Sequence, residues 1–125
     1  MKQILVVDDD PVMREVLHDV LSDDYAVTLA TNGAEALASI CHDAPDAVVL
    51  DMMMPVMDGR AFLMARRRLP SCAAVPVMVV SAEPRACVEG TRLGAQACVP
   101  KPFDIDRLLT ELDHLLDQSD QQRPS

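Results

Sequence analysis

The sequence has little of three features: long hydrophobic runs, positive charge and lysine. Its 125 residues carry 11 Lys plus Arg against 20 Asp plus Glu, a formal net charge of −9. No apolar run approaches the ~20 residues needed to span a bilayer, and the N-terminus reaches the acidic Asp8 too soon for a signal peptide. An acidic surface also repels polyanions. We therefore predict a cytoplasmic domain that contacts no membrane and does not bind nucleic acid directly.

The cysteines and histidines follow no metal-binding pattern. The four cysteines, Cys41, Cys72, Cys87 and Cys98, lie too far apart for paired zinc ligands, and none of the three histidines clusters with them. We expect four reduced, mostly buried thiols and three histidines on helix surfaces. Metal binding through nitrogen or sulfur is not predicted.

Short apolar runs recur along the chain and predict a parallel sheet. They occupy residues 4–7, 27–30, 47–50, 77–80 and 97–99. Because their apolar character does not alternate, we predict strands buried on both faces. The segments between them have helical spacing of apolar residues and are long enough for crossover helices. The sequence therefore predicts one domain with a doubly wound α/β sandwich fold.

Local signals mark the ends of these elements. Asp10 and Pro11 are typical of an N-cap and first helical residue, and Gly94 of the end of the fourth helix. The arginines at 66–68 would lie at the C-terminal end of the third helix, where their positive charge interacts favourably with the helix dipole. Pro100 lacks an N–H, which favours an edge position for the fifth strand.

Polar side chains follow four of the predicted strands. Asp8 and Asp9 follow the first, Asp51 the third, Ser81 the fourth and Lys101 the fifth. Ligands of open parallel sheets bind beyond the carboxyl ends of strands, so these groups should meet. Taken singly, some polar residues near these strand ends have ordinary structural roles. Ser81 could hydrogen-bond to the backbone of a turn, and Asp58 with Gly59 is a typical turn sequence.

Three crowded carboxylates repel one another unless a proton or cation offsets them, and an all-oxygen site suits Mg²⁺ or Mn²⁺. Only two of the residues are lysines, Lys2 and Lys101, so Lys101 is not generic surface charge. An ammonium and a hydroxyl beside a metal are what phosphoryl transfer to an aspartate requires.

These residues resemble the receiver domain of bacterial response regulators over about residues 3–117. The matching motifs fall in the family's order and spacing: Ile4–Pro11, Asp51–Gly59, Val80–Ala82, Gly94–Ala95 and Lys101–Phe103. The resemblance implies a flavodoxin-like (βα)5 sandwich whose five-stranded parallel sheet has the order 2-1-3-4-5. It also implies a cis peptide bond between Lys101 and Pro102. We place the domain at residues 1–118, with 119–125 as a disordered tail or the start of a linker.

The resemblance also implies the roles of the site residues. Asp51 would be the phosphoacceptor, while Ser81 and Lys101 would contact the phosphoryl oxygens. The metal ion would be held by the side chains of Asp8, Asp9 and Asp51 and by the backbone carbonyl of Met53. The domain would thus be regulatory and not an enzyme, although it would assist its own phosphorylation and dephosphorylation.

The expected partners follow from the same resemblance. A sensor histidine kinase or a histidine phosphotransfer protein would supply the phosphoryl group. Phosphorylation would shift the conformation and control an output domain or effector protein. Receivers also form homodimers through the face made by the fourth helix, fifth strand and fifth helix.

Two departures from the family pattern alter these expectations. Cys98 occupies the position of the usual aromatic switch, so we predict that output changes through the loop after Ser81 and movement of the fourth helix. A redox role for Cys98 is not expected. Met53 and Glu83 flank the route of the hydrolytic water, and Met53 cannot orient water by a strong hydrogen bond.

Two other functions stay open. An aspartyl phosphatase could share this sheet, but its usual second aspartate would fall at position 53, which is Met53. A pseudo-receiver that never takes phosphate would not need the complete set of polar residues seen here.

Overall fold

The computed structural model describes the backbone of residues 1–122 and the side chains of residues 1–119. Strands and helices alternate along this part of the chain. The elements are β1 (Gln3–Val7), α1 (Pro11–Leu21), β2 (Ala26–Ala30), α2 (Gly33–His42), β3 (Ala47–Asp51), α3 (Gly59–Arg67), β4 (Val77–Ser81), α4 (Pro84–Arg92), β5 (Ala97–Pro100) and α5 (Ile105–Gln122). The alternation confirms the predicted α/β class.

The strands form one parallel sheet in the order β2-β1-β3-β4-β5, as predicted. β5 is an edge strand, in agreement with its Pro100. In the register of the last three strands, Asp51 pairs with Val80, and Ser81 pairs with Pro100. The ends of β3, β4 and β5 therefore lie side by side.

Alternate strand residues supply two hydrophobic cores, one on each face of the sheet. Leu5 and Val7 of β1 belong to the core that includes α2, α3 and α4. Ile4 and Val6 belong to the core that includes α1 and α5. Burial on both faces is therefore confirmed for β1, β3 and β4.

The prediction that strands are buried on both faces is wrong for β2 and only partly correct for β5. Three of the five β2 residues, Ala26, Thr28 and Leu29, are exposed, and Leu29 retains 40% of its accessible surface. In β5 only Val99 is fully buried. Both strands lie at sheet edges, where the helices cover less of each face.

The helix ends follow most of the local signals. Asp10 caps α1 by accepting a hydrogen bond from the Val12 N–H, with Pro11 at the first position. Gly94, just beyond α4, has a φ of +108°, a conformation that suits glycine at a helix end. Asp58 was predicted in a turn but instead caps α3, accepting from the Ala61 N–H at 2.9 Å.

Arg66 differs from the prediction for the end of α3. Arg67 and Arg68 are exposed there, whereas Arg66 retains only 2% of its accessible surface. Its Nε donates to the Val75 carbonyl at 3.0 Å, and burial lowers the pKa of the guanidinium. The side chain turns inward because it satisfies a buried carbonyl just before β4.

The four cysteines form two pairs, which corrects the prediction of four reduced thiols. Cys87 of α4 and Cys98 of β5 are joined by a disulfide with a Cα–Cα distance of 5.6 Å. Cys41 and Cys72 are free, with their sulfur atoms 3.9 Å apart, and only Cys72 is buried. Spacing in the sequence does not reveal such pairs, because it does not show which helix packs on which strand. The histidines are exposed on helices, as predicted.

The C-terminal helix α5 continues to Gln122, beyond the domain boundary predicted at residue 118. That boundary stays a prediction, and residues 123–125 of the predicted tail lie outside the described residues. Among residues 1–122, no helix combines the length and the hydropathy needed to cross a membrane.

Candidate functional site

The polar residues predicted to meet do so at the carboxyl ends of the strands. Asp8 directly follows β1, Asp51 ends β3, Ser81 ends β4 and Lys101 directly follows β5. Asp8, Asp51 and Ser81 are buried, whereas Asp9 is exposed. We call this set of five residues the strand-end rim. Its position agrees with the rule that open parallel sheets bind ligands at this edge.

Three carboxylates of the rim form a compact cluster. One oxygen from each of Asp8, Asp9 and Asp51 lies within 4.8 Å of the others. Oxygen ligands at this spacing suit a hard divalent cation such as Mg²⁺, and two of the three side chains are buried away from solvent screening. The donor set therefore fits the metal that the sequence predicted.

Lys101 brings the balancing positive charge to the cluster. Its Nζ lies 3.4 Å from Asp8 Oδ2 and 3.9 Å from Asp51 Oδ2. Its backbone N–H donates to the Ser81 carbonyl at 2.8 Å, so β4–β5 pairing continues into the rim. The peptide bond between Lys101 and Pro102 is cis, as predicted.

Backbone hydrogen bonds orient the two buried carboxylates. Asp51 Oδ1 accepts from the Met53 N–H at 3.1 Å, and Asp8 Oδ1 accepts from the Asp10 N–H at 2.9 Å. In both residues it is the other oxygen, Oδ2, that approaches the Lys101 ammonium. Each carboxylate thus has one oxygen held by the backbone and one near the Lys101 ammonium.

The surroundings of Asp51 raise the pKa of its carboxyl group. Burial raises its pKa to about 6, and the neighbouring Asp8 adds to the rise. The Met53 N–H and the Lys101 ammonium act in the opposite direction and lower the pKa only in part. Burial and the neighbouring carboxylates therefore disfavour the ionised form of Asp51, and a bound cation would favour it.

Ser81 connects the rim to the start of α4. It is 2% exposed, and its Oγ accepts a hydrogen bond from the Glu83 N–H at 3.1 Å. Because that hydroxyl accepts in this bond, its own proton is available to donate. Glu83 is the N-cap residue of α4 and makes no side-chain capping bond. A change in the hydrogen bonding of Ser81 would therefore act directly on the first residues of this helix.

The loop after Asp51 is partly open to solvent. Met53 retains 65% and Val56 87% of their accessible surface, and Val56 has a φ of +68°. A thioether accepts hydrogen bonds only weakly. No strong acid or base of this loop thus occupies the position two residues beyond Asp51.

Two residues support the rim through contacts that the sequence did not predict. Arg14 donates from Nη1 to the Asp8 carbonyl at 2.8 Å. Gly59 starts α3 so close to β3 that an added Cβ would lie 2.7 Å from Met52 Cα and 2.9 Å from the Asp51 carbonyl oxygen. The Asp58–Gly59 pair signals a bend in the chain, but neither close approach has a local signal.

Comparison with known proteins agrees with this geometry. The sequence model of the response regulator receiver domain matches residues 4–113. The chain belongs to the response regulator receiver domain family. As a receiver domain, it is a regulatory component of two-component signalling.

This receiver domain is similar to named response regulators. It is 45% identical over 118 residues to response regulator MprA of Mycolicibacterium vanbaalenii, and the match covers 91% of this chain and 50% of MprA. The chain therefore spans about half the length of the curated relatives it matches.

Solved structures also match the receiver domain. The chemotaxis protein CheY4 of Vibrio cholerae is 33% identical with a TM-score of 0.85, covering 92% of this chain and 98% of CheY4. NtrX of Brucella abortus is 31% identical with a TM-score of 0.89, covering 98% of this chain and 29% of NtrX. Both short and long proteins thus contain this domain.

Proposed function

We propose that the receiver domain accepts a phosphoryl group on Asp51 from a phosphohistidine. The donor would be a sensor histidine kinase or a histidine phosphotransfer protein. The observation that carries the proposal is the position of Asp51, whose Oδ2 faces the Lys101 ammonium at 3.9 Å within a cluster of three carboxylates. A carboxylate in such surroundings is suited to act as a nucleophile toward phosphorus.

In the transfer step, one oxygen of the Asp51 carboxylate attacks phosphorus while the phosphorus–nitrogen bond of the donor breaks. The electron pair of that bond stays on the imidazole, and the product is an acyl phosphate on Asp51. Charge in such a transition state is spread over the equatorial phosphoryl oxygens. In this proposal Lys101 supplies an ammonium and Ser81 a hydroxyl to two of these oxygens.

The proposal includes a Mg²⁺ or Mn²⁺ ion held by the side chains of Asp8, Asp9 and Asp51 and by the Met53 carbonyl. Such an ion supplies positive charge that offsets the carboxylates and the incoming phosphoryl group. The compact cluster of the three carboxylates supports this assignment.

The phosphorylated state would signal through Ser81. If its hydroxyl turns to the phosphoryl group, its hydrogen bond with the Glu83 N–H is lost and the start of α4 is released. We propose that this change controls an output domain or effector protein, and that a homodimer forms through the face of α4, β5 and α5. A cytoplasmic location and a domain limit at residue 118 are parts of the same proposal.

Hydrolysis of the acyl phosphate would return the domain to its resting state. Met53 and Glu83, which lie two residues beyond Asp51 and Ser81, are proposed to set its rate. Met53 is largely exposed at the open side of the rim, where water would approach Asp51.

The decisive experiment incubates the protein with a small acyl phosphate and Mg²⁺ and follows its intact mass. We expect a stable phosphorylated species that Asp51→Asn abolishes and that EDTA prevents. Asp58→Asn is the matched control, since it removes an exposed carboxylate nearby and asparagine also caps a helix.

The same experiment separates the alternatives. Consumption of the donor without accumulation of phosphoprotein would indicate a phosphatase. Neither labelling nor consumption would indicate a pseudo-receiver. Labelling that persists in Asp51→Asn would refute the assignment of the phosphoacceptor.

A further inference from the structure

The Cys87–Cys98 disulfide joins the two segments that leave the strand-end rim on its β4–β5 side. Cys87 is in α4, which begins just after Ser81, and Cys98 is in β5, which ends just before Lys101. Ser81 and Lys101 are also joined directly, by the hydrogen bond between the Lys101 N–H and the Ser81 carbonyl. The disulfide therefore closes a short covalent and hydrogen-bonded ring that includes both groups proposed to contact phosphate.

The buried residues of α4 that face the sheet are small. Its fully buried residues are Ala86 and Gly90, which bury little apolar surface. Gly90 lies against β4, where an added Cβ would be 2.8 Å from Val79 Cγ2. On the outer side, Arg60 of α3 pairs with Glu89 of α4, and both side chains are partly exposed. Exposed ion pairs of this kind stabilise weakly.

The disulfide is placed where small thiols can reach it. Cys87 and Cys98 are both half-buried, whereas a fully buried sulfur would be shielded from attack. Their Cα atoms are separated by 5.6 Å, inside the range in which a disulfide forms without backbone movement. The bond can therefore open and close while β5 and α4 keep their positions.

We propose that Cys87 and Cys98 form a reversible dithiol–disulfide site whose co-reactants are low-molecular-weight thiols and disulfides, and that its state decides whether α4 responds to phosphorylation. The second part of this proposal rests on the proposed function. In the oxidised state the link to β5 holds α4 in place. In the reduced state α4 keeps its small buried surface, the Arg60–Glu89 pair and the Ser81–Glu83 hydrogen bond that phosphorylation would release.

The chemistry is a two-electron exchange. On oxidation, one cysteine thiolate attacks the sulfur of a disulfide RSSR, forms a mixed disulfide and expels RS⁻. The second cysteine thiolate then attacks the protein sulfur of that mixed disulfide and expels a second RS⁻. The two protons from the cysteines are taken up by the two leaving thiolates, giving two RSH. Reduction is the reverse sequence.

The other cysteine pair provides an internal control. Cys41 and Cys72 bring their sulfur atoms to 3.9 Å, but they connect α2 to the segment after α3 and not α4 to β5. Cys41→Ser therefore removes a thiol without affecting the proposed site.

The first experiment equilibrates the folded protein in buffers of reduced and oxidised glutathione, traps free thiols by alkylation and identifies the modified cysteines by mass. We expect one reversible transition assigned to Cys87 and Cys98, retained in Cys41→Ser and lost in Cys87→Ser. A pair that never oxidises, or that strong reductants open only when the protein unfolds, would overturn the proposal.

The second experiment measures hydrogen exchange of α4 amides with and without acyl phosphate and Mg²⁺. We expect phosphorylation to speed exchange roughly tenfold or more in reduced wild type and in Cys87→Ser, and to change it little in oxidised wild type. Equal responses in both redox states would overturn the coupling.

The reduced wild type makes this test independent of the folding of any variant. Intact mass shows separately whether phosphate was incorporated. Absence of phosphorylation would thus refute the proposed function, while the glutathione experiment would still decide whether the redox site exists.

Discussion

The strand-end rim and the face formed by α4 and β5 lie next to each other, yet they are built in different ways. Each rim residue ends or follows a strand, so the parallel topology alone brings Asp8, Asp51 and Lys101 together. The α4–β5 face depends on how a helix packs on an edge strand, and its covalent link joins Cys87 to Cys98. The function proposed for the rim thus depends on charge. The neighbouring face is held together by a covalent bond and a small apolar contact.

This difference matters for how the two regions respond to change. The chemistry proposed for the rim depends on charges that act over several ångströms, so a lost charge would alter it directly. Groups of the α4–β5 face act by limiting motion, so their removal alters stability and local opening. The two regions can therefore be tested separately, although Ser81 connects them.

The largest effect is expected at the rim. Lys101→Ala removes the ammonium that lies 3.4 Å from Asp8 Oδ2 and 3.9 Å from Asp51 Oδ2. Loss of one preorganised charge of this kind slows a reaction by about 100-fold or more. The rate of Asp51 phosphorylation by acyl phosphate measures the effect. Arg85→Ala, an exposed cation of α4, should leave the rate unchanged, and equal rates in the two variants would contradict the assigned role.

On the α4–β5 face we expect an effect of similar size, but on the free energy of unfolding and not on a reaction rate. A disulfide that spans a sequence separation of 11 residues contributes about 2 to 3 kcal/mol to the free energy of unfolding. Urea denaturation with and without a thiol reductant should show this difference in wild type and in Cys41→Ser. Cys87→Ser should be insensitive to reductant. Wild type that is equally stable in both buffers would show that the link does not hold the face.

The smallest effect is expected at the open side of the rim. Met53→Asn adds a donor and an acceptor beside the proposed path of the attacking water. We expect phosphate loss from Asp51 to quicken by up to about tenfold, or ~1.4 kcal/mol of activation free energy. Val56→Asn is the matched control, because Val56 is also exposed and its positive φ suits asparagine. Unchanged or slower decay in Met53→Asn would count against a role for this position.

Much of the fold could be predicted because strand and helix patterns are local. Uninterrupted apolar runs identified the strands, and Asp10 with Pro11 identified the start of α1. The edge position of β5 followed from Pro100, since a residue without an N–H is tolerated at an edge. The exposure of β2 could not be predicted, because an apolar run does not show whether a helix covers it.

The site could be predicted to a similar extent. Its chemistry-bearing residues stand at strand ends, and in parallel sheets such ends meet at one edge. The supports of the site could not be predicted in this way. Arg14 reaches Asp8 from the next helix, and Gly59 matters because α3 starts against the backbone of Asp51. These are contacts of tertiary packing and have no periodic pattern.

By itself, the sequence determined the α/β class and the acidic rim with its lone internal lysine, because both depend on residues adjacent to the strands in the chain. Only the tertiary structure decided that Arg66 turns inward and that Cys87 meets Cys98. The physical reason is that these contacts join residues from different elements of the chain. Pairing between a helix and a strand depends on how the helices pack against the sheet, and that packing results from many weak contacts summed over the whole core.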